Sequence, residues 1–271
     1  QMCIRDRYST GQEIHNYDRN YKRWMSMREA LADSRNIPAL KAFQAAGKDN
    51  VLNFAKGLGL SIDKDELHES YAIGGFGNGV STLQMAGAYS AFGNNGYYNE
   101  PHTVTAVEFN DGTKLDLTPE SKAAMSDYTA FMMTDMLQTA VQTGTGRAAQ
   151  VPNVTVAGKT GTTNFEEADI KKYGINPNGA RDSWFVGYTP QYTAAVWTGK
   201  SGHNSLSANE QQVAKLLFKK LIAKVDNGSG SFEKPDSVVE ATVLKGSNPP
   251  VLASSNTPVS YTHLRAHETG R

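Results

Sequence analysis

Lys159-Thr160-Gly161-Thr162 closes an apolar, β-branched run, Val154-Thr155-Val156-Ala157, and Ser34-Arg35-Asn36 lies well before it. Attack by a serine on a peptide that ends in a carboxylate needs a base, an oxyanion site and a grip on that carboxylate. On a strand edge, Lys159 presents a fixed positive charge. Thr160 and Thr162 add hydroxyl donors for the carboxylate. Gly161 lets a substrate backbone approach closely, because a side chain there would obstruct it. The backbone N–H of Thr162 points along the edge where an oxyanion would form. Ser34 has the chemistry of a proton relay to a leaving amine, and Asn36 that of a holder of a substrate amide. The plain alternative for Lys159 is an exposed strand lysine.

Short patterns recur by chance, so order and context must select among them. Ser-x-Asn occurs three times, at Ser34, Ser207 and Ser254. Ser207 runs up to a helix cap at Asn209, and Ser254 lies in the tail. Ser-x-x-Lys occurs at Ser61–Lys64 and Ser231–Lys234, both after Ser34. Ser61 follows Gly57 and Gly59 in a turn, and Ser231 falls in a linker; neither has the walls that position a nucleophile. Gly158-Lys159-Thr160 lacks the earlier glycine of a phosphate loop, since Asn153 stands there. Gly75 to Gly79 is a flexible turn without the strand of a dinucleotide site. His15, His68, His102 and His203 have no ligand spacing and read as surface histidines. Trp184 and Trp197 alternate as strand residues and read as core.

These groups need elements to hold them. Ser26 with Glu29 makes a capping box for a helix through about Asp33. Pro38 opens a second helix ending at Gly47, so Ser34 to Asn36 falls in the link between the two. A third helix runs from Asp49 to Gly57. Ser81 caps a fourth, with Leu83, Met85, Ala86, Tyr89 and Phe92 inward. Val104 to Phe109 turns at Asp111-Gly112 into Lys114 to Leu117 as a hairpin. Ser126 starts a long helix with Phe131, Met132, Leu137 and Val141, ended by Gly144 and Gly146. Strands follow at Val154–Thr162, Ser183–Tyr188 and Tyr192–Trp197, with a polar stretch, 164–181, between the first two. A helix from Asn209 carries Val213, Leu216, Leu217 and Leu221. Helices, then an antiparallel meander, then a closing helix is an α+β pattern.

Met2 to Asp6 can be encoded by a string whose reverse complement reads Val-Ser-Tyr-Thr-His, the sequence of Val259 to His263. One DNA element read inward from both ends explains this, and it resembles a sequencing adapter. Residues 1–7 and 259–271 are therefore kept out of fold reasoning. This leaves 8–225 as the domain and 226–258, rich in Gly, Ser, Asn and Pro, as a linker or the start of another module. Removing four of the 27 basic and two of the 27 acidic residues gives a net charge of −2, which suggests no polyanion-binding surface. The single cysteine, Cys3, leaves with the excluded end, and with it any disulfide or thiol chemistry. No run approaches the length of a membrane span.

From Trp24 to Trp197 the chain resembles the transpeptidase domain of class A penicillin-binding proteins, of the 1A type in Gram-positive bacteria. The resemblance rests on Ser26 to Leu31, Met85 to Tyr89, Thr143 to Gly146, Ala157 to Thr162 and Trp184 to Pro190. It implies a penicillin-recognising α+β fold and cross-linking of peptidoglycan stem peptides through a serine acyl-enzyme. Ser34, Asn36 and Lys159 would be catalytic, and Thr160, Gly161 and Thr162 substrate-binding. The partners would be a D-Ala-D-Ala terminus and β-lactams, with no nucleic acid, cofactor or metal, at the extracytoplasmic face of the cell membrane. The parent would carry an anchor and a glycosyltransferase domain. The nucleophile of the family sits in a Ser-x-x-Lys ahead of Ser34, and none is there. The chain is thus expected to be inactive by itself. Three sheet strands, an open groove between Ser34 and Lys159 and unpacked ends at 1–7 and 259–271 should follow. The Tyr192–Trp197 strand should keep one unpaired side. The rival readings are a β-lactamase-type hydrolase, needing a deacylating glutamate among Glu66, Glu69, Glu100, Glu108 and Glu120, and a non-catalytic peptide-binding module.

Overall fold

The computed structural model describes residues 6–22, 25–75, 77–228, 230–244, 247, 251–254 and 260–266. Trp24, Phe76 and the expected loose ends at 1–5, 259 and 267–271 lie outside these. A short hairpin, β1 (Asp6–Arg7) and β2 (Glu13–Ile14), precedes three helices, α1 (Met27–Ala32), α2 (Asn36–Ala46) and α3 (Lys48–Gly57). Next come α4 (Thr82–Gly93), β3 (Tyr97–Tyr98), β4 (Ala106–Glu108), β5 (Lys114–Asp116), β6 (Lys122–Ala123) and α5 (Asp127–Gln142). Then follow β7 (Ala157–Asn164), α6 (Glu167–Tyr173), β8 (Ala180–Tyr188), β9 (Thr193–Gly199) and α7 (Val213–Val225). The described chain closes with β10 (Val238–Leu244) and β11 (Ser260–Ala266).

The main sheet has three antiparallel strands in the order β7-β8-β9. Among the described residues, β9 has a strand partner on one side only, as expected. One sheet face carries Ala157 and Tyr188 against Leu137 of α5, Tyr89 and Phe92. The other carries Phe185 against Phe218 and Ile222 of α7 and Val141 of α5. Phe185 and Phe218 meet edge-to-face with ring centroids 4.7 Å apart. Gly158 and Gly187 make room for that ring, since a Cβ on either would fall 2.7 Å from it. Buried Tyr188 hydrogen-bonds Thr134 through the two hydroxyls, 2.8 Å apart, and lies edge-on to Tyr89. Helix α5 supplies both clusters, so it ties the helical part to the sheet.

Several expectations are corrected. Leu83 points outward, 63% exposed, while Gly87, Ala88 and Ala91 are the buried face of α4. Close packing explains this: a Cβ on Gly87 would meet Pro101 at 2.7 Å. Helix α7 buries Ala214, Phe218 and Ile222, and leaves Val213, Leu216, Leu217 and Leu221 outside. Trp197 is 47% exposed rather than core, because its indole N–H donates to Asp182 Oδ1 across the ladder. The polar stretch 164–181 contains α6.

The ends are also not unpacked where they are described. Asp6–Arg7 pairs with Glu13–Ile14, and Ser260–Ala266 pairs along its length with Val238–Leu244. The β-branched run at Val238, Val239, Thr242 and Val243 favours an extended strand, and main-chain pairing asks little of its partner's side chains. Upstream, Phe232 packs on Tyr188 at 5.4 Å, so the 226–258 stretch is attached to the core at its start.

Candidate active site

Ser26 caps α1 with a reciprocal capping box to Glu29. At the other end of that short helix the chain forms a Schellman closure. The Arg35 N–H donates to the Ala30 carbonyl at 2.9 Å and the Ser34 N–H to the Leu31 carbonyl at 3.2 Å. The position between them demands a left-handed backbone, and Ser34 occupies it with φ of 54°. Glycine is the usual occupant. The strained turn aims Ser34 at β7. Lys159 Nζ lies 2.7 Å from Ser34 Oγ, 2.9 Å from the Thr160 carbonyl and 3.4 Å from Thr160 Oγ1.

The expected open groove between Ser34 and Lys159 is therefore closed by direct contact. The reason is electrostatic. The ammonium end of Lys159 is withdrawn from water, and a desolvated cation takes the nearest oxygens. Burial pushes its pKa down to about 8.

Arg35 and Asn36, the middle and last residues of Ser34-Arg35-Asn36, both bond to the loop at residues 15–18. Buried Arg35 pairs with Asp18 at 2.6 Å, which holds the Asp18 carboxyl below the usual range. The Asn36 side-chain amide donates to the His15 carbonyl at 2.8 Å, and its backbone N–H to Asn16 Oδ1 at 3.1 Å. Asn16 thus caps α2 from a distant loop. The structure brings Ser34, Lys159 and Thr160 together and turns the Asn36 amide toward residues 15 and 16. Gly161 sits opposite Trp184, where a Cβ would meet the Trp184 Cβ at 3.2 Å. Thr162 is exposed beyond it.

One contributor escaped the sequence reading. Thr145 Oγ1 lies 2.8 Å from Thr160 Oγ1, and the Thr145 N–H donates to the Ala32 carbonyl at 3.0 Å. It fastens the end of α1 to β7. Its neighbour Gly144 permits this, since a Cβ there would sit 2.3 Å from the Ala32 carbonyl oxygen. The signal was the Gly-Thr-Gly after a long helix. Arg28 anchors the other flank of α1 by an ion pair to Asp135 and a 2.8 Å bond to Thr139 Oγ1. The two decoy serines have no such setting. Lys64 pairs with Asp49 at 3.2 Å, and Lys234 donates to the Val238 carbonyl at 2.8 Å.

A model of the penicillin binding protein transpeptidase domain matches residues 3–223. The chain is 70% identical over 257 residues to penicillin-binding protein 1A/1B of Bacillus subtilis, covering 93% of this chain and 28% of that protein. It is 36% identical over 228 residues to penicillin-binding protein 1A of Streptococcus pneumoniae, covering 81% of this chain and 31% of that one. The chain thus spans about a third or less of these relatives. The crystal structure of penicillin-binding protein 1A from Haemophilus influenzae superposes with a TM-score of 0.72 at 20% identity, over 99% of this chain and 44% of that one. PonA1 of Mycobacterium tuberculosis, solved with penicillin V, gives 0.67 at 21% identity, over 84% and 64%. At such identities these likenesses speak for the fold alone. The chain belongs to the penicillin-binding protein transpeptidase family, on its class A branch.

Proposed function

We propose that this chain supplies the proton-relay and carboxylate-binding half of a peptidoglycan D,D-transpeptidase site. The observation that carries this is the 2.7 Å contact between Lys159 Nζ and Ser34 Oγ. In the whole protein, at the outer face of the cell membrane, a serine outside this chain attacks the D-Ala-D-Ala terminus. Ser34 passes a proton to the leaving amine, and Asn36 holds the substrate amide. Lys159, Thr160, Gly161 and Thr162 receive the terminal carboxylate, or that of a β-lactam. Carboxylate binding breaks the closed Lys159–Ser34 contact and restores a groove. Three of the five glutamates that a β-lactamase reading could use are engaged elsewhere: Glu66 accepts from Asn78, Glu69 from Ser9, and Glu108 pairs with Lys114.

In the full-length parent, Lys159→Ala removes a charge-assisted contact that contributes on the order of 1.5–3 kcal/mol. Acylation by labelled penicillin should fall at least about tenfold. An unchanged rate would return Lys159 to the status of a surface residue. The chain by itself should retain no covalent penicillin, and labelling at Ser61 or Ser231 would overturn the motif assignment.

A further inference from the structure

We infer that Ser34 and Lys159 form a serine–lysine pair in which Ser34 is itself a nucleophile toward activated acyl and sulfonyl donors. This activity belongs to the chain as it stands and goes beyond the peptide-transfer reading. In that reading Ser34 relays protons and never forms a covalent bond.

Three observations meet at one atom. The first is the set of neighbours of Lys159 Nζ. The Thr160 carbonyl at 2.9 Å and Thr160 Oγ1 at 3.4 Å can accept two hydrogens. Ser34 Oγ at 2.7 Å accepts from the charged Nζ and, once the lysine has lost its proton, is a hydroxyl that can donate. The ammonium donates its three hydrogens to these three oxygens; the neutral amine formed above its pKa keeps two of these bonds and turns its lone pair to the Ser34 hydroxyl, whose proton it can take. The second is the backbone of Ser34, held left-handed by the two Schellman hydrogen bonds. The hydroxyl is therefore placed by the main chain, as in other strained turns that present a nucleophile. The third is access: Ser34 is only half-buried.

The lysine is available as a base near neutral pH, because burial lowers its pKa to about 8. Charged groups on the surrounding elements have other partners. From α1 and the turn after it, Arg28 pairs with Asp135, Asp33 with Lys22, and Arg35 with Asp18. From β8, Arg181 lies over the Phe165 ring and Asp182 accepts from Trp197. Desolvation alone sets the lysine's pKa.

With phenylmethanesulfonyl fluoride, Ser34 Oγ forms a bond to sulfur, the S–F bond breaks, and fluoride leaves with its electron pair. The Ser34 proton passes to Lys159 Nζ and then to water. Fluoride asks nothing more of the site. A stem peptide or β-lactam instead brings a carboxylate to Lys159, which breaks the Lys159–Ser34 contact on which this attack depends. This chemistry therefore coexists with the expected failure to retain penicillin.

The test is incubation of the chain with phenylmethanesulfonyl fluoride, read by intact mass and peptide mapping. One sulfonyl group should appear, on Ser34, at a rate that rises with pH through about 8. Ser34→Ala should abolish it. Lys159→Arg keeps the charge but cannot act as a base, and Lys159→Met removes the amine; each should slow labelling at least about tenfold. An adduct on Lys159 or elsewhere, no adduct, a flat pH profile, or full labelling of folded Lys159→Arg would each overturn the pair. Absence of labelling leaves the transpeptidase reading standing, because that is tested on the parent with penicillin.

Discussion

Thr145 and Thr160, fifteen residues apart, meet through their hydroxyls at 2.8 Å. Because the Thr145 amide also holds the Ala32 carbonyl at 3.0 Å, the helix that leads into Ser34 and the strand that carries Lys159 share one fastener. Three segments of the chain set a single serine–lysine distance.

Thr145→Val removes this hydroxyl bridge while keeping the branched shape. A hydrogen bond of this kind contributes about 1 kcal/mol. Urea unfolding should show a loss of that order, and sulfonylation of Ser34 should slow as the lysine loses its fixed neighbour. Unchanged stability and labelling would mean that the main-chain bond from residue 145 to Ala32 and the Arg28 contacts hold α1 without the hydroxyl bridge.

Ser34→Gly should raise stability. A left-handed serine costs roughly 1–2 kcal/mol relative to a residue without that strain, and part of this is offset by the greater freedom of glycine in the unfolded chain. A gain of about 0.5–1 kcal/mol in denaturant unfolding is expected, together with loss of sulfonylation. Destabilisation would show that the Lys159 contact outweighs the backbone strain.

Lys159 links stability to pH. Its folded pKa, about 8, lies below the ordinary 10.5. Below pH 8 both folded and unfolded states hold the proton, so pH changes nothing. Above 8 the folded state releases it while the unfolded state keeps it, so stability rises with pH up to about 10.5. Between pH 7.5 and 9.5 the gain over Lys159→Met should be about 2 kcal/mol. A difference that is flat or falls with pH would mean the ammonium is hydrated.

Much of this architecture is local and therefore legible. Ser26-x-x-Glu29 and the glycine at 47 mark helix ends through chemistry spanning one turn. The three main strands follow from β-branched and aromatic residues, Thr160, Thr162 and Thr163 in β7, Trp184, Phe185, Val186 and Tyr188 in β8, and Thr193, Val196 and Trp197 in β9. What was misread depended on partners distant in sequence. Val213, Leu216, Leu217 and Leu221 read as the inner face of α7, yet the stripe Ala214, Phe218, Ile222 is the one that fits against Phe185 and Val141. The Asn36 amide donates to the His15 carbonyl, and its backbone N–H to Asn16 Oδ1, partners that no short motif announces. The motif singles out Lys159, but its closure onto Ser34 depends on burial that no motif encodes.

The buried Tyr188–Thr134 hydroxyl pair gives the molecule an optical signature. Burial pushes the Tyr89 phenol up to about 12 and the Tyr188 phenol higher still. Both resist ionisation at alkaline pH values where exposed phenols already absorb as phenolates. The missing share of near-ultraviolet absorbance in an alkaline titration thus reports, without any added dye, whether α4 and α5 still cover the sheet. It returns abruptly when they come away.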